Sequence, residues 1–265
     1  METGFSTGGD GRGVFQIAGH SKWSNIKHRK GKEDARRGQV FTKLARQITL
    51  AAREGGGDPD TNFRLRLVID KARAANMPND NVDRAIKRGL GELGGENLEE
   101  IVYEGYGPGG MAVLLEVLTD NRNRTASDLR HVFSKHGGNL GESGCVAWMF
   151  ESKGRLVIER QVTPVDDDSL MLEAIEAGAE DMEADGELVE IFTAPNQLKI
   201  VKETLEASGY RFQDSGITMV PGNTVDIPSE RAEQALRLLE ALEDLDDVQD
   251  VYTNGDFDED ALELS

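Results

Sequence analysis

The chain has 265 residues, of which 30 are Lys or Arg and 49 are Asp or Glu, so its formal net charge is −19. This length is sufficient for two or three domains with hydrophobic cores, which excludes a small disulfide-stapled scaffold. No apolar run approaches 18 residues, and the one that starts at Met111 ends at Leu115, which excludes a membrane-spanning helix. We therefore expect no membrane partner. The single cysteine, Cys145, cannot form an internal disulfide, and we therefore expect a cytoplasmic protein.

Charge is distributed unevenly along the chain. Residues 18–90 contain 17 Lys and Arg against 8 Asp and Glu, whereas residues 91–265 contain 12 against 39. A basic module on an acidic chain indicates a polyanionic partner for the N-terminal part. The alternative is that the basic face docks on the acidic remainder of the same molecule, and the two arrangements are compatible at different times.

The N-terminal third is predicted to form a short extension followed by a helical domain. Residues 1–17 contain five glycines and no basic start before an apolar run, so we expect a disordered extension rather than a signal peptide. Residues 18–95 are predicted to form a basic domain of three helices, because apolar side chains recur three and four positions apart. Gly55-Gly56-Gly57 and Asn76-Met77-Pro78 separate the helices, and Asn79 is the expected N-cap of the third.

The remaining sequence predicts an α+β fold in two further domains. Residues 152–221 read as βαββαβ, the order of a ferredoxin-like fold, and we expect this unit to be inserted into the other domain. That other domain is predicted to be discontinuous, formed by residues 96–151 and 222–265. Within it, residues 145–150 are predicted as a strand, and Thr125 with Asp128 is predicted to cap a helix over residues 124–136.

The stretch from His20 to Lys32 contains five Lys or Arg, two His and one aromatic residue. Such cations replace the counterions condensed on a nucleic-acid backbone, while Trp23 either stacks on a base or fixes the arm to the helical core. The predicted nucleic-acid-binding residues are Lys22, Trp23, Lys27, His28, Arg29, Lys30, Lys32, Arg36, Arg37, Lys43 and Arg46. In the third helix, Arg84, Lys87 and Arg88 suit phosphate contact as well as base edges.

A second basic pair, Arg122 and Arg124, is predicted to lie at the N-terminus of a helix, where the helix dipole disfavours cations. A nearby anion would stabilise both side chains. That anion is either a phosphate or, as we favour, an acid from the acidic remainder of the chain.

Several longer motifs resemble the YebC/PmpR family in the same order and over residues 18–257. They are GHSKWSNIKHRKGKEDARRGQVFTKL from Gly19, NMPNDNVDRAI from Asn76, YEGYGPGG from Tyr103, TDNRNRT from Thr119 and GGNLG from Gly137. The resemblance implies a basic helical domain followed by two α+β domains, and a role in regulating gene expression. Some members are described as DNA-binding transcriptional regulators, whereas others, including a mitochondrial translational activator, act with ribosomes.

Enzyme motifs are weak in this sequence. Gly105 to Gly110 satisfies G-x-G-x-x-G, but the segment after it reads as a strand, which is typical of a tight strand connection rather than a dinucleotide site. No histidine pair has metal-ligand spacing, and we predict no cofactor, no metal and no catalytic residue.

The first hypothesis is therefore a regulator that binds nucleic acid, as a DNA-binding transcriptional regulator or as a translation factor binding ribosomal RNA. A protein partner at the acidic C-terminal domains is compatible with either role. A metal-dependent nuclease and a protein-interaction scaffold remain the alternatives from other classes.

Overall fold

The computed structural model describes residues 37–94 and 97–257. The predicted extension at residues 1–17 and the basic arm at residues 20–32 lie outside the described residues, as does Arg36. In the described part of the chain, seven α-helices are formed: α1 (Arg37–Gly55), α2 (Phe63–Ala74), α3 (Asn79–Gly89), α4 (Arg122–Lys135), α5 (Asp167–Ala177), α6 (Leu198–Ala207) and α7 (Ser229–Glu243). None of these helices is long and apolar enough to cross a membrane.

The same residues form ten strands in two four-stranded sheets and one small parallel pair. The strands are β1 (Glu99–Tyr106), β2 (Ala112–Thr119), β3 (Asn139–Leu140), β4 (Phe150–Glu159), β5 (Asp181–Asp185), β6 (Leu188–Thr193), β7 (Asp214–Pro221), β8 (Val225–Ile227), β9 (Val248–Thr253) and β10 (Gly255–Phe257). The predicted α+β class, with helices first and two sheets after them, is confirmed.

Helices α1, α2 and α3 form a helical unit around one apolar core. The buried residues Leu44, Ile48, Ala51 and Ala52 recur at three- and four-residue spacing on α1 and therefore face α2 and α3. Gly89 lets α3 approach α1 closely, because a Cβ at this position would lie 2.4 Å from the backbone oxygen of Thr49. The predicted N-cap at Asn79 is wrong: Pro78 occupies the cap position, and α3 begins at Asn79 without a side-chain cap.

The first sheet has the strand order β3-β1-β2-β9, and all its neighbours are antiparallel. Strand β9 comes from the far end of the chain and pairs with β2 from Val113 opposite Thr253 to Val117 opposite Val248. Helices α4 and α7 cover one face of this sheet with buried side chains such as Phe133 and Leu239. The parallel pair β8 and β10, which the sequence pattern did not predict, lies beside this core.

The second sheet has the order β5-β6-β4-β7 and is antiparallel throughout. With α5 and α6 placed after its first and third strands, this is the ferredoxin-like topology that the sequence predicted. Its core contains Leu156, Ile191 and Leu198 from this unit together with Leu67 from α2, so α2 packs on the second sheet as well as inside the helical unit.

The strand predicted at residues 145–150 is wrong. A turn precedes a short 3-10 helix at Ala147–Met149, and the strand begins only at Phe150. The reason is the buried carboxylate of Glu104. Its oxygens accept hydrogen bonds from the backbone N–H groups of Gly144, Val146 and Ala147, with N···O distances of 2.6–2.7 Å. Burial raises the pKa of Glu104, but these three hydrogen bonds outweigh it and hold the pKa below the usual value.

Candidate nucleic-acid interface

One face of α1 lies against the C-terminal end of α7 and the turn that follows it, residues 243–247, which we call the acidic turn. Lys43 Nζ donates to the backbone oxygen of Glu243 at 2.5 Å, and Gln39 donates to the backbone oxygen of Asp244. Arg46 Nη1 donates to the backbone oxygen of Asp246 at 2.7 Å and to Asp247 Oδ1 at 2.8 Å. Two of the residues predicted to bind nucleic acid, Lys43 and Arg46, are thus bonded to the acidic part of the same chain.

Asp247 is the centre of this contact. Its Oδ2 accepts hydrogen bonds from Thr125 Oγ1 at 2.6 Å, Arg124 Nη2 at 2.9 Å and Thr119 Oγ1 at 3.1 Å, while Oδ1 accepts from Arg46. Burial alone would raise the pKa of this carboxyl, but the hydrogen bonds from Thr125 and Arg124 and the charge of Arg46 lower it below the usual value. Asp247 therefore joins the helical unit to the first sheet.

Asp247 also lies beside the predicted anion site, which is formed by Arg122 and Arg124. Arg124 Nη2 is 2.9 Å from both Asp120 Oδ1 and Asp247 Oδ2, so its anionic neighbours are internal acids. Arg122 Nε lies 3.7 Å from Glu99 Oε2. The predicted cap is wrong, because Asn121 caps α4 by accepting from the Arg124 N–H, which leaves Thr125 inside the first turn and directed at Asp247.

A groove of about 310 Å³ lies between α1 and α3, on a different part of the helical unit. Arg46, Arg84 and Arg88 line it, together with the polar side chains of Thr42 and Asn81. Within residues 37–94 and 97–257, no carboxylate pairs with Arg84, Lys87 or Arg88. We call Arg84, Lys87 and Arg88 the open face. Their positive charge is available to a phosphate, whose oxygens match the planar N–H groups of a guanidinium.

Three of the eleven predicted binding residues are described. Arg37 stacks over the ring of Phe41, with the guanidinium carbon 5.6 Å from the ring centroid. Lys43 and Arg46 contact the acidic turn, and Arg46 also borders the groove. The other eight lie outside the described residues. The sequence analysis did not single out Thr42 and Asn81, although the spacing of Thr42, Ala45 and Arg46 on α1 places all three on one side of that helix.

Within the described part of the chain, no three His, Cys, Asp or Glu side chains converge to hold a metal ion. Burial and the nearby charge of Glu104 raise the pKa of the Cys145 thiol, which disfavours the nucleophilic thiolate.

The structure has a basic three-helix unit joined to two α+β units, each with an antiparallel sheet. The sequence that forms it matches one protein family over almost the whole chain. The family model described as the TACO1/YebC protein N-terminal domain matches residues 21–92, and the model described as the TACO1/YebC second and third domain matches residues 98–255. The chain belongs to the TACO1/YebC family, as the motifs from Gly19 to Gly141 predicted.

Individual relatives agree with this assignment. A probable transcriptional regulatory protein of Desulfatibacillum aliphaticivorans is 56% identical over 246 residues, which cover 93% of this chain and 99% of the relative. A protein of the same description from Halothermothrix orenii is 55% identical, with 93% and 98% covered. A crystal structure of a conserved hypothetical protein from Aquifex aeolicus superposes with a TM-score of 0.83 at 50% identity, and covers 90% of this chain and 98% of the other.

Proposed function

We propose that this protein regulates gene expression by binding the nucleic-acid backbone through the open face of the helical unit, with DNA as its first target. The observation that carries the proposal is the groove between α1 and α3, where Arg84 and Arg88 line a cleft and meet no described carboxylate. The names of the relatives, probable transcriptional regulatory proteins, support a regulatory role. A role in transcription would make duplex DNA the target.

A second candidate target is structured RNA, and one feature of α3 favours it. Asp80 and Asp83 occupy exposed positions in the N-terminal half of this helix, where a recognition helix inserted in the major groove would meet base edges. These carboxylates would repel the flanking phosphates, so α3 is better suited to backbone contacts through its C-terminal half. Double-stranded RNA is recognised mostly by its shape and by contacts to phosphates and 2′-hydroxyls, which suits a helix that binds the backbone without reading bases.

Charge reversal of the open face tests the proposal. The full-length variant Arg84→Glu, Lys87→Glu, Arg88→Glu should lose at least about 100-fold in affinity for a labelled duplex in fluorescence anisotropy, because three phosphate contacts become repulsions. The matched control reverses three exposed cations of other helices, Arg130→Glu, Lys135→Glu and Lys199→Glu, and should change affinity less than about threefold. Equal affinities in the two triple variants would refute the assignment of the open face.

Crosslinking in cells distinguishes the two targets, and the salt dependence of affinity tests backbone binding to either of them. Crosslinking and sequencing of the bound nucleic acid should recover discrete promoter DNA for a transcriptional regulator, or ribosomal RNA with co-sedimentation on ribosomes for a translation factor. In either case, log affinity should fall linearly with log salt concentration, with a slope of about −0.9 per phosphate contacted on duplex DNA and about −0.7 on single strands. An affinity independent of salt would exclude backbone binding.

A further inference from the structure

A second cleft lies where the helical unit and the two sheets meet, away from the open face. Its volume is about 490 Å³, within the range that small-molecule sites occupy at domain junctions. Helix α2 contributes Phe63 and Leu67, the second sheet and its helices contribute Leu198 and Ile217, and the first sheet contributes Glu116. All three parts of the molecule therefore share one opening.

Some charged side chains of this cleft already have a partner of opposite charge, and others do not. Arg64 donates to Glu54 at 2.6 Å and to Glu100 at 2.8 Å, and Lys71 lies 3.4 Å from Asp214. Glu116 accepts a hydrogen bond from Tyr252 at 3.2 Å, but no cation of the described residues lies within ion-pair distance of it. The cations are thus engaged, while the carboxylate of Glu116 is not neutralised.

The groups around Glu116 make its ionisation costly. Burial and the charge of Asp250 raise the pKa of Glu116 to about 7, with a smaller contribution from Glu100, while the Tyr252 hydroxyl and Arg64 act in the opposite direction. A cation placed beside Glu116 and Asp250 would remove this penalty, whereas an anion would increase it. The electrostatics of the cleft therefore favour a positively charged occupant.

An independent observation indicates a hydrogen-bond donor at the same place. The side chain of Gln249 lines the cleft, and its Oε1 atom is buried without a donor among the described residues. Its Nε2 atom is directed instead at the backbone oxygen of Asp247, at 3.4 Å. A buried amide oxygen without a partner is unfavourable, so a ligand N–H at this point would be stabilised.

We propose that this cleft binds a small organic cation, an ammonium or guanidinium group carried on an apolar body. The charged end lies against Glu116, Asp250 and the Gln249 oxygen, and the apolar body packs on Phe63 and Ile217. Because the helical unit and both sheets line the cleft, the bound cation also holds the three parts together.

A matched pair of probes tests the site on the full-length protein. 2-Phenylethylamine and 2-phenylethanol have the same apolar body, and only the amine is a cation at pH 8. Calorimetry should show the amine binding at least tenfold more tightly than the alcohol. Equal affinities, or no binding of either probe, would overturn the proposal.

Two substitutions with controls locate the binding. Glu116→Gln should weaken binding of the amine about tenfold and leave the alcohol unchanged, whereas Glu176→Gln, on the exposed face of α5, alters net charge equally and should have no effect. Ile217→Trp should block both probes, and Ile200→Trp, at an exposed position outside the cleft, should block neither. Equal losses in the two Gln variants would mean that the amine binds the acidic surface generally and would overturn the proposal.

The pH dependence gives a readout that does not depend on folding. Between pH 6 and pH 8 the amine remains protonated, while Glu116, whose pKa is about 7, loses its proton. Binding to wild type should therefore tighten about tenfold over this interval and release a proton, which calorimetry in two buffers detects. In Glu116→Gln this dependence should disappear, and a dependence that persists would contradict the role of Glu116.

Discussion

On α1, Lys43 and Arg46 lie against the acidic turn, whereas on α3 the cations of the open face meet no described carboxylate. Both helices belong to the same basic segment of the sequence and share one core. The difference shows that positive charge alone does not identify a polyanion-binding surface. A cation that is already paired with an anion of the same chain must break that pair before it can bind an external anion. Of the two alternatives that charge asymmetry raised, internal docking is observed on α1. Binding of an external polyanion is our proposal for the open face of α3.

Among the substitutions that test this difference between α1 and α3, Asp247→Asn is expected to have the largest effect on stability. Removing the charge weakens the bonds from Arg46, Arg124 and Thr125 in a buried site, so the free energy of unfolding should fall by about 2–4 kcal/mol. Urea denaturation measures this loss. The control is Asp246→Asn in the same turn, where Arg46 contacts the backbone oxygen instead, and it should cost less than about 0.5 kcal/mol.

Acid should act on the same contact. The pKa of Asp247 is lower in the folded than in the unfolded chain, so its stabilisation is fully present above the unfolded value and is lost as pH falls through the folded value. The stabilities of wild type and Asp247→Asn in urea should therefore differ most near neutral pH, and the difference should shrink as pH falls below the ordinary pKa of an aspartate and through the lowered pKa of folded Asp247. A difference that stays constant with pH would show that the carboxylate charge does not stabilise the contact.

Gly89→Ala is expected to have the next largest effect, because the added Cβ would collide with the backbone oxygen of Thr49 and force α1 and α3 apart. Stability should fall by about 1–3 kcal/mol, and affinity for nucleic acid should fall with it, because the groove depends on that spacing. Thermal unfolding and anisotropy measure the two quantities. Gly38→Ala, where a Cβ meets nothing within 4 Å, is the control; it should leave affinity unchanged and should not lower stability, because alanine favours the helix more than glycine.

Lys43→Gln is expected to have the smallest effect, and it distinguishes the two faces most directly. Its Nζ donates to a backbone oxygen at the C-terminal end of α7, where the helix dipole favours a cation, so stability should fall by about 0.5–1 kcal/mol. Nucleic-acid affinity should stay within about twofold of wild type if α1 remains docked. A loss of tenfold or more would mean that nucleic acid replaces the acidic turn on α1.

Much of the architecture could be predicted from residue spacing. The three- and four-residue periodicity of Phe41, Leu44 and Ile48 predicted the first helix, and the βαββαβ order predicted the ferredoxin-like topology. The family was identified correctly from its motifs. These features are local, or follow from the order of local elements, and for that reason they are readable without tertiary contacts.

The errors arose where a distant residue determines local structure. Residues 145–150 have the composition of a strand, but Glu104, about forty positions earlier, takes the backbone N–H groups that would otherwise join a sheet. The partners of Lys43 and Arg46 lie 200 residues away, and nothing in their own helix indicates them. The orphaned Gln249 oxygen is likewise a property of packing alone.

The position of β9 also constrains how the molecule is made. Because this strand pairs with β2 but is encoded more than 120 residues later, the first sheet stays incomplete until the ribosome has released the chain as far as Thr253. The second sheet, from β4 to β7, is contiguous and lies between those two strands in the chain, so it can close while synthesis continues. The acidic turn immediately precedes β9, so α1 cannot dock on it before all residues of the second sheet have been synthesised.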